Sequence, residues 1–168
     1  HTAGAEVEFG NTLLLGESPH GLILDWERFQ ETAPCDARLV ARSLQRVEQR
    51  LGVKIPALAA DRGFDSQSNQ QLLKKRKTYN GICPRSIPEL KRRRSSWKFA
   101  ALQRRRSQCE GRIGIVKNNF LGRPLRSKRF AHRELAVTWA VLTHNLWVIA
   151  RLPVRKARKR TRPRALTP

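Results

Sequence analysis

The sequence predicts an α/β protein, a mixed sheet with helices flanking it, in one domain followed by a basic tail. Three observations predict it. Two alternating apolar and polar segments lie near the start with turn residues between them; helical and strand-like patterns then alternate; and two long proline-free segments close the folded part. A chain of 168 residues with 39% hydrophobic content can bury one core of ordinary size.

Residues 6–17, EVEFGNTLLLGE, place Val7, Phe9, Asn11, Leu13 and Leu15 on one side, as a half-buried strand does. The turn residues ESPHG follow. In GLILDWERF, Leu22, Leu24 and Trp26 face one way and Ile23, Asp25 and Glu27 the other, which completes an antiparallel hairpin and leaves Asp25 toward solvent. Over 34–52, Leu39, Val40, Leu44, Val47 and Leu51 recur at helical spacing, with Asp36 as cap and Gly52 as stop. The run IPALAA at 55–60 suits a strand buried on both faces. A helix over 66–76 and a short strand over 79–83 come next. From Pro88 the chain is dense in Lys and Arg, and a long basic helix is expected over 97–120, tolerating Gly111 and Gly114 at about 1 kcal/mol each. Residues 122–129 form a basic loop. A last helix over 133–150 is apolar almost all round and is expected to be core. The remaining residues 153–168 are too poor in apolar side chains to fold alone and should order only against an anion.

Charge is divided along the chain. The net charge is +22, yet residues 1–65 carry 10 acids against 7 bases and residues 66–168 carry 3 against 28. Such a surplus points to a polyanion, nucleic acid first, and makes every acid kept in the basic half informative. Cys35, Cys83 and Cys109 are odd in number and far apart, so neither a disulfide framework nor a zinc site is signalled, and a reducing, cytoplasmic setting is expected. The apolar stretch over 135–152 is broken by Thr138, Thr143, His144 and Asn145, which argues against a membrane span. No signal peptide opens the chain, and the absence of any Met suggests a segment of a longer product.

Asp61 directly follows the apolar run, at the strand end where open α/β sheets place their ligands. The alternative is that Asp61 and Asp65 only turn the chain and cap the next helix. Glu110 stands in RRRSQCEGRIGIVKNN; at about 100° per residue Arg106 lies about 40° and Lys117 about 20° from it, so the three share one helix face. A carboxylate between two cations suits a metal beside phosphate, or else two intrahelical ion pairs. Trp97, beside the cations 91–94, could stack on a base or belong to the core. His132 and His144 have no ligand-type neighbour and are expected to pack or to face solvent.

The residues ADRGFDS, then the spacing R-x-x-x-E-x-x-x-x-x-x-K across Arg106, Glu110 and Lys117, resemble the DDE transposases of bacterial insertion sequences, in the group with a Y-R-E-K signature. FLGRPLRSKRF and HRELAVTWAVLTHNLWVIARLP are similar to the C-terminal part of such enzymes, so the resemblance spans about residues 3–153. It implies a ribonuclease-H-like mixed sheet with flanking helices, here missing its first strand, over residues 1–152. It also implies that Asp61 and Glu110 are catalytic and hold metal, two Mg²⁺ or Mn²⁺ ions in the complete protein, for phosphodiester cleavage and transfer. Arg106 and Lys117 would lie on the DNA backbone, with Arg104, Arg105, Arg112 and Trp97 extending that surface. The implied partners are double-stranded DNA, both transposon ends and target, and a second copy in a synaptic homodimer, with no membrane.

Two departures stand against the resemblance. The signature tyrosine is Gln103 here, and the first aspartate of the triad belongs before His1, with Asp25 only a weak substitute. The isolated chain is therefore expected not to cut or join DNA. A catalytically inactive, basic nucleic-acid-binding remnant or accessory protein is the alternative.

Overall fold

The computed structural model describes residues 12–122 and 127–152. The first half of the expected opening strand, part of the basic loop and the whole basic tail lie outside the described residues.

The hairpin pairs β1 (Leu13–Glu17) with β2 (Ile23–Arg28), antiparallel, with an irregularity between Gly16 and Glu17. Its turn is closed by Ser18, whose Oγ accepts from the Leu22 amide at 3.0 Å, and by Gly21 at φ 88. Helix α1 (Asp36–Leu51) follows and ends on Gly52 in the left-handed region, its amide donating to Glu48 O. Asp36 is not the cap; it occupies the first turn, and Cys35 holds the cap position without a side-chain bond.

β3 (Ala57–Ala60) and β4 (Tyr79–Ile82) are parallel, joined by a 3₁₀ turn (Arg62–Phe64) and α2 (Gln67–Lys75). Ser66 caps α2 by accepting from Asn69 N. Beyond β4 lies α3 (Ile87–Arg94), which the basic composition concealed. Its signal was present: Ser86 and Glu89 form the S-x-x-E pattern, and Ser86 Oγ faces the Glu89 amide. Helix α4 (Trp97–Ile115) continues into a π-helical turn (Val116–Leu121), and α5 (Phe130–Ala150) closes the described chain.

Three features differ from the expectation or stop short of it. First, the described strands form two pairs, β1–β2 and β3–β4, and among the described residues these are not joined into the single mixed sheet expected. Within each pair the linkage is local, a tight turn or an α2 crossover, whereas α1 packs against β2 and also supplies Val40 and Leu44 to the core under β3 and β4. Second, β3 is half-buried along its whole length and not sealed on both faces. Third, the inward residues of β2 are Ile23 and Asp25, the reverse of the expected face. Asp25 is fully buried because α1 presents its partners: Arg46 donates through Nε at 2.8 Å and Nη2 at 2.7 Å, and Ser43 Oγ donates at 2.7 Å.

Helix α5 is also less enclosed than its composition suggests. Val137, Ala140, Val141, His144 and Val148 are buried, on one face only. Asn145 explains its place in this apolar helix by accepting from Ile23 N at 2.8 Å and donating to Ile23 O at 2.9 Å, much as a neighbouring strand would. His144 packs edge-on to Phe120 at 5.7 Å, and burial holds its pKa below the ordinary value, so it sits as a neutral core group. Among the described residues no helix is long and apolar enough to cross a membrane.

Candidate active site

Asp61 stands where β3 ends and the 3₁₀ turn begins. The structure separates it from Asp65. Asp65 is consumed by the fold, accepting from Gln70 Nε2 at 2.9 Å and from the Arg85 amide at 2.9 Å. The Asp61 side chain makes no capping bond, and 60% of it is exposed. The cap of α2 is Ser66, so neither aspartate caps that helix, and only Asp65 is taken up by the surrounding fold.

Glu110 sits on α4, 68% exposed. Arg106 pairs with it at 2.9 Å, the i, i+4 bond that the simple helical reading required. The same Arg106 Nη1 also pairs with Asp61, 45 residues away in sequence. Two acids from different elements thus converge on one guanidinium nitrogen.

The position of α4 explains the convergence. Gly81 in β4 lets α4 approach closely: a Cβ there would meet the Leu58 carbonyl and the Leu102 side chain. Gln103 fastens the helix to the strand, donating from Nε2 to Gly81 O at 2.7 Å while its Oε1 accepts from Arg106 Nε at 3.2 Å. Gln103 thereby aims Arg106 at the carboxylates, a positioning contact that sequence reasoning registered only as a departure from a motif. Asp61 and Arg106 border an open cleft of about 760 Å³, lined also by Arg62, Arg94 and Arg104 over Leu90 and Phe99.

The remaining expected residues fall as follows. Arg104 and Arg105 are exposed on α4. Arg112 points elsewhere, its Nε donating to Glu17 at 2.6 Å and so tying α4 to the end of β1. Lys117 is exposed and pairs with no described acid, but α-helical geometry stops at Ile115, so the 100° rule that put it on the Glu110 stripe does not extend to it. Trp97 opens α4 with 81% of its surface exposed, which removes the core alternative. Glu89 is used up locally: hydrogen bonds from Arg92 and Arg93 push its carboxyl down to about 2. The Cys109 thiol, next to Glu110, is pushed up to about 12, chiefly by burial and then by Glu17.

Asp61 and Glu110 supply hard oxygen donors of the kind divalent Mg²⁺ or Mn²⁺ prefers. No group of three metal-binding side chains forms among the described residues, and Arg106 lies between the two acids. Asp25 does not complete the set, since both its oxygens are taken by Arg46 and Ser43.

Residues 34–146 match the family model of the transposase DDE domain, a span that includes Asp61, Arg106 and Glu110. No curated protein and no solved structure gave a significant match.

Proposed function

This chain belongs to the transposase DDE domain family, and from that premise we propose that it binds double-stranded DNA and that Asp61 and Glu110 are two of its metal-holding catalytic carboxylates. The observation that carries the reading is their convergence on Arg106 across two elements, beside a cleft lined with arginines. A ribonuclease-H-like sheet is the companion proposal: the two strand pairs would be halves of one sheet, with a further strand between them carrying the third carboxylate.

Asp61 and Glu110 would hold a divalent ion, which when bound would supply Lewis acidity for phosphodiester chemistry. The chain's own residues do the rest. Arg106, held by Gln103, is placed to exchange its carboxylate partners for a phosphate oxygen. Arg104, Arg105 and Lys117 add exposed positive charge along the same helix and its π-helical extension. Transfer between DNA ends, action within a homodimer and a cytoplasmic setting complete the proposal.

The test uses the purified chain. We expect salt-dependent binding of duplex DNA, Mn²⁺ binding weakened several-fold or more by Asp61→Asn and by Glu110→Gln, and no Mg²⁺-dependent strand transfer with two carboxylates alone. Mn²⁺ binding indifferent to both substitutions sinks the metal assignment and leaves a basic nucleic-acid-binding protein.

Trp97 gives a separate prediction. Because the indole is exposed, Trp97→Ala should leave thermal stability nearly unchanged while costing about 1–3 kcal/mol in affinity for single-stranded or frayed DNA ends through lost base stacking. Unchanged affinity, measured by fluorescence anisotropy, removes Trp97 from the DNA surface.

A further inference from the structure

The turn that Asp61 leads into is held by groups from outside it. Each carbonyl of the 3₁₀ turn Arg62–Phe64 accepts a hydrogen bond from a side chain elsewhere in the fold. Asn69, on α2 and only 3% exposed, donates from Nδ2 to Phe64 O at 2.8 Å and to Ala37 O at 2.9 Å, which fastens the end of the turn to α1 as well. Arg85 takes the other two carbonyls. Its Nε donates to Arg62 O at 3.2 Å and its Nη2 to Gly63 O at 3.3 Å, while its amide donates to Asp65 Oδ2 at 2.9 Å. One residue thus grips both the turn and the aspartate that follows it.

The topology places this grip beside Asp61. β3 and β4 are parallel neighbours, Asp61 comes directly after β3, and Arg85 comes shortly after β4. Cys83 N donates to Ala60 O at 2.9 Å between the two strand ends, so Arg85 closes the edge at which Asp61 stands. The bonds themselves are a poor means of global stabilisation. Arg85 is exposed, and its guanidinium meets neutral peptide oxygens instead of a carboxylate. What they fix is the path of the chain leaving Asp61, whose own side chain makes no bond to the turn and is left to meet Arg106.

We propose that Arg85 is a positioning residue for Asp61, holding the turn so that the carboxylate faces Arg106 and Glu110 on α4. The inference rests on the reading of Asp61 as a metal-holding carboxylate and adds to it a residue that acts through the backbone. The sign of its effect is diagnostic. By charge alone, removing a cation near two carboxylates favours a divalent ion, whereas loss of aim disfavours it.

Titration calorimetry with Mn²⁺ and amide hydrogen exchange on the purified full chain test this. Arg85→Ala should weaken Mn²⁺ binding roughly tenfold, as loss of a group that orients a metal ligand does, and shift the thermal midpoint by only a few degrees. Exchange at the Phe64 and Asp65 amides, which donate to Asp61 O and Arg62 O, should quicken at least several-fold, while the Cys83 amide keeps its rate. Arg85→Lys retains the charge but cannot span two carbonyls, so it should resemble Arg85→Ala. In an Asp61→Asn background, Arg85→Ala should weaken Mn²⁺ binding no further, which general damage to the fold would do. Mn²⁺ binding that is unchanged or tighter in Arg85→Ala, full recovery with Arg85→Lys, or unchanged exchange at Phe64 and Asp65 overturns the proposal. Indifference of Mn²⁺ binding to Asp61→Asn itself sinks the metal assignment and this inference with it, whereas failure of Arg85→Ala alone sinks only this one.

Discussion

Arg46→Ala is expected to destabilise the fold by about 3–5 kcal/mol, read from urea unfolding, because it strands a buried charge. Asp25 has no solvent exposure, and its two oxygens accept from Arg46 Nε and Nη2, with Ser43 on one of them. Arg46 also donates to Glu27 at 2.6 Å, and Arg50 stands 3.7 Å from Asp25. The cluster joins β2 to α1, and α1 in turn packs on the core under β3 and β4, so its loss should loosen both strand pairs together. A measured loss under about 1 kcal/mol would mean that Asp25 is hydrated and not enclosed.

The same cluster sets a pH dependence. Burial pushes the Asp25 carboxyl up, but hydrogen bonds from Arg46 and Ser43 and the charges of Arg46 and Arg50 together hold it below its ordinary value of 3.8. A carboxyl depressed in the folded state contributes its stability in full above the unfolded value and loses it as pH falls through the folded one. Wild-type stability should therefore decline below about pH 4, and Asp25→Asn should flatten that decline at the cost of lower stability at neutral pH.

Asp25 also shows what the sequence could and could not convey. Alternation found β2, but alternation cannot say which parity faces inward when the inward set contains a charge; only the arrival of Arg46 from another element makes Asp25 a buried residue. The body and C-terminus of helix α1 were legible because its apolar spacing and Gly52 act within the segment itself, whereas its start was not, since Cys35 and not Asp36 holds the cap position. Helix α3 was concealed by four consecutive cations that look like a solvated linker, although Ser86 and Glu89 marked its start. The apolar composition of α5 suggested burial all round, since composition carries no information about how much protein is available to cover a helix. Pairing of strands distant in sequence has no local signature, and the two separate pairs reflect that. At the site, the position of Asp61 was readable from the end of an apolar run, and the Arg106–Glu110 pair from helical spacing. Their union through one guanidinium was not, because it depends on how Gly81 and Gln103 seat α4 against β4.

That union leads to the second large effect. Arg106→Ala should shift two affinities of the purified chain in opposite directions. With Arg106 present, Asp61 and Glu110 share a cationic partner that any divalent ion must displace. Removing it leaves two neighbouring carboxylates without their common counter-charge, so Mn²⁺ binding, followed by titration calorimetry, should tighten roughly tenfold, equivalent to about 1.4 kcal/mol. Affinity for duplex DNA should fall, and the slope of log K against log salt should decrease in magnitude by about 1, the signature of one lost phosphate contact. General damage to α4 would weaken both, and a purely structural arginine would leave the salt slope untouched. Gln103→Ala, which releases Arg106 without removing its charge, should reproduce part of the Mn²⁺ effect and little of the change in slope. Weaker Mn²⁺ binding in Arg106→Ala would show that the guanidinium organises the carboxylates for the ion instead of competing with it.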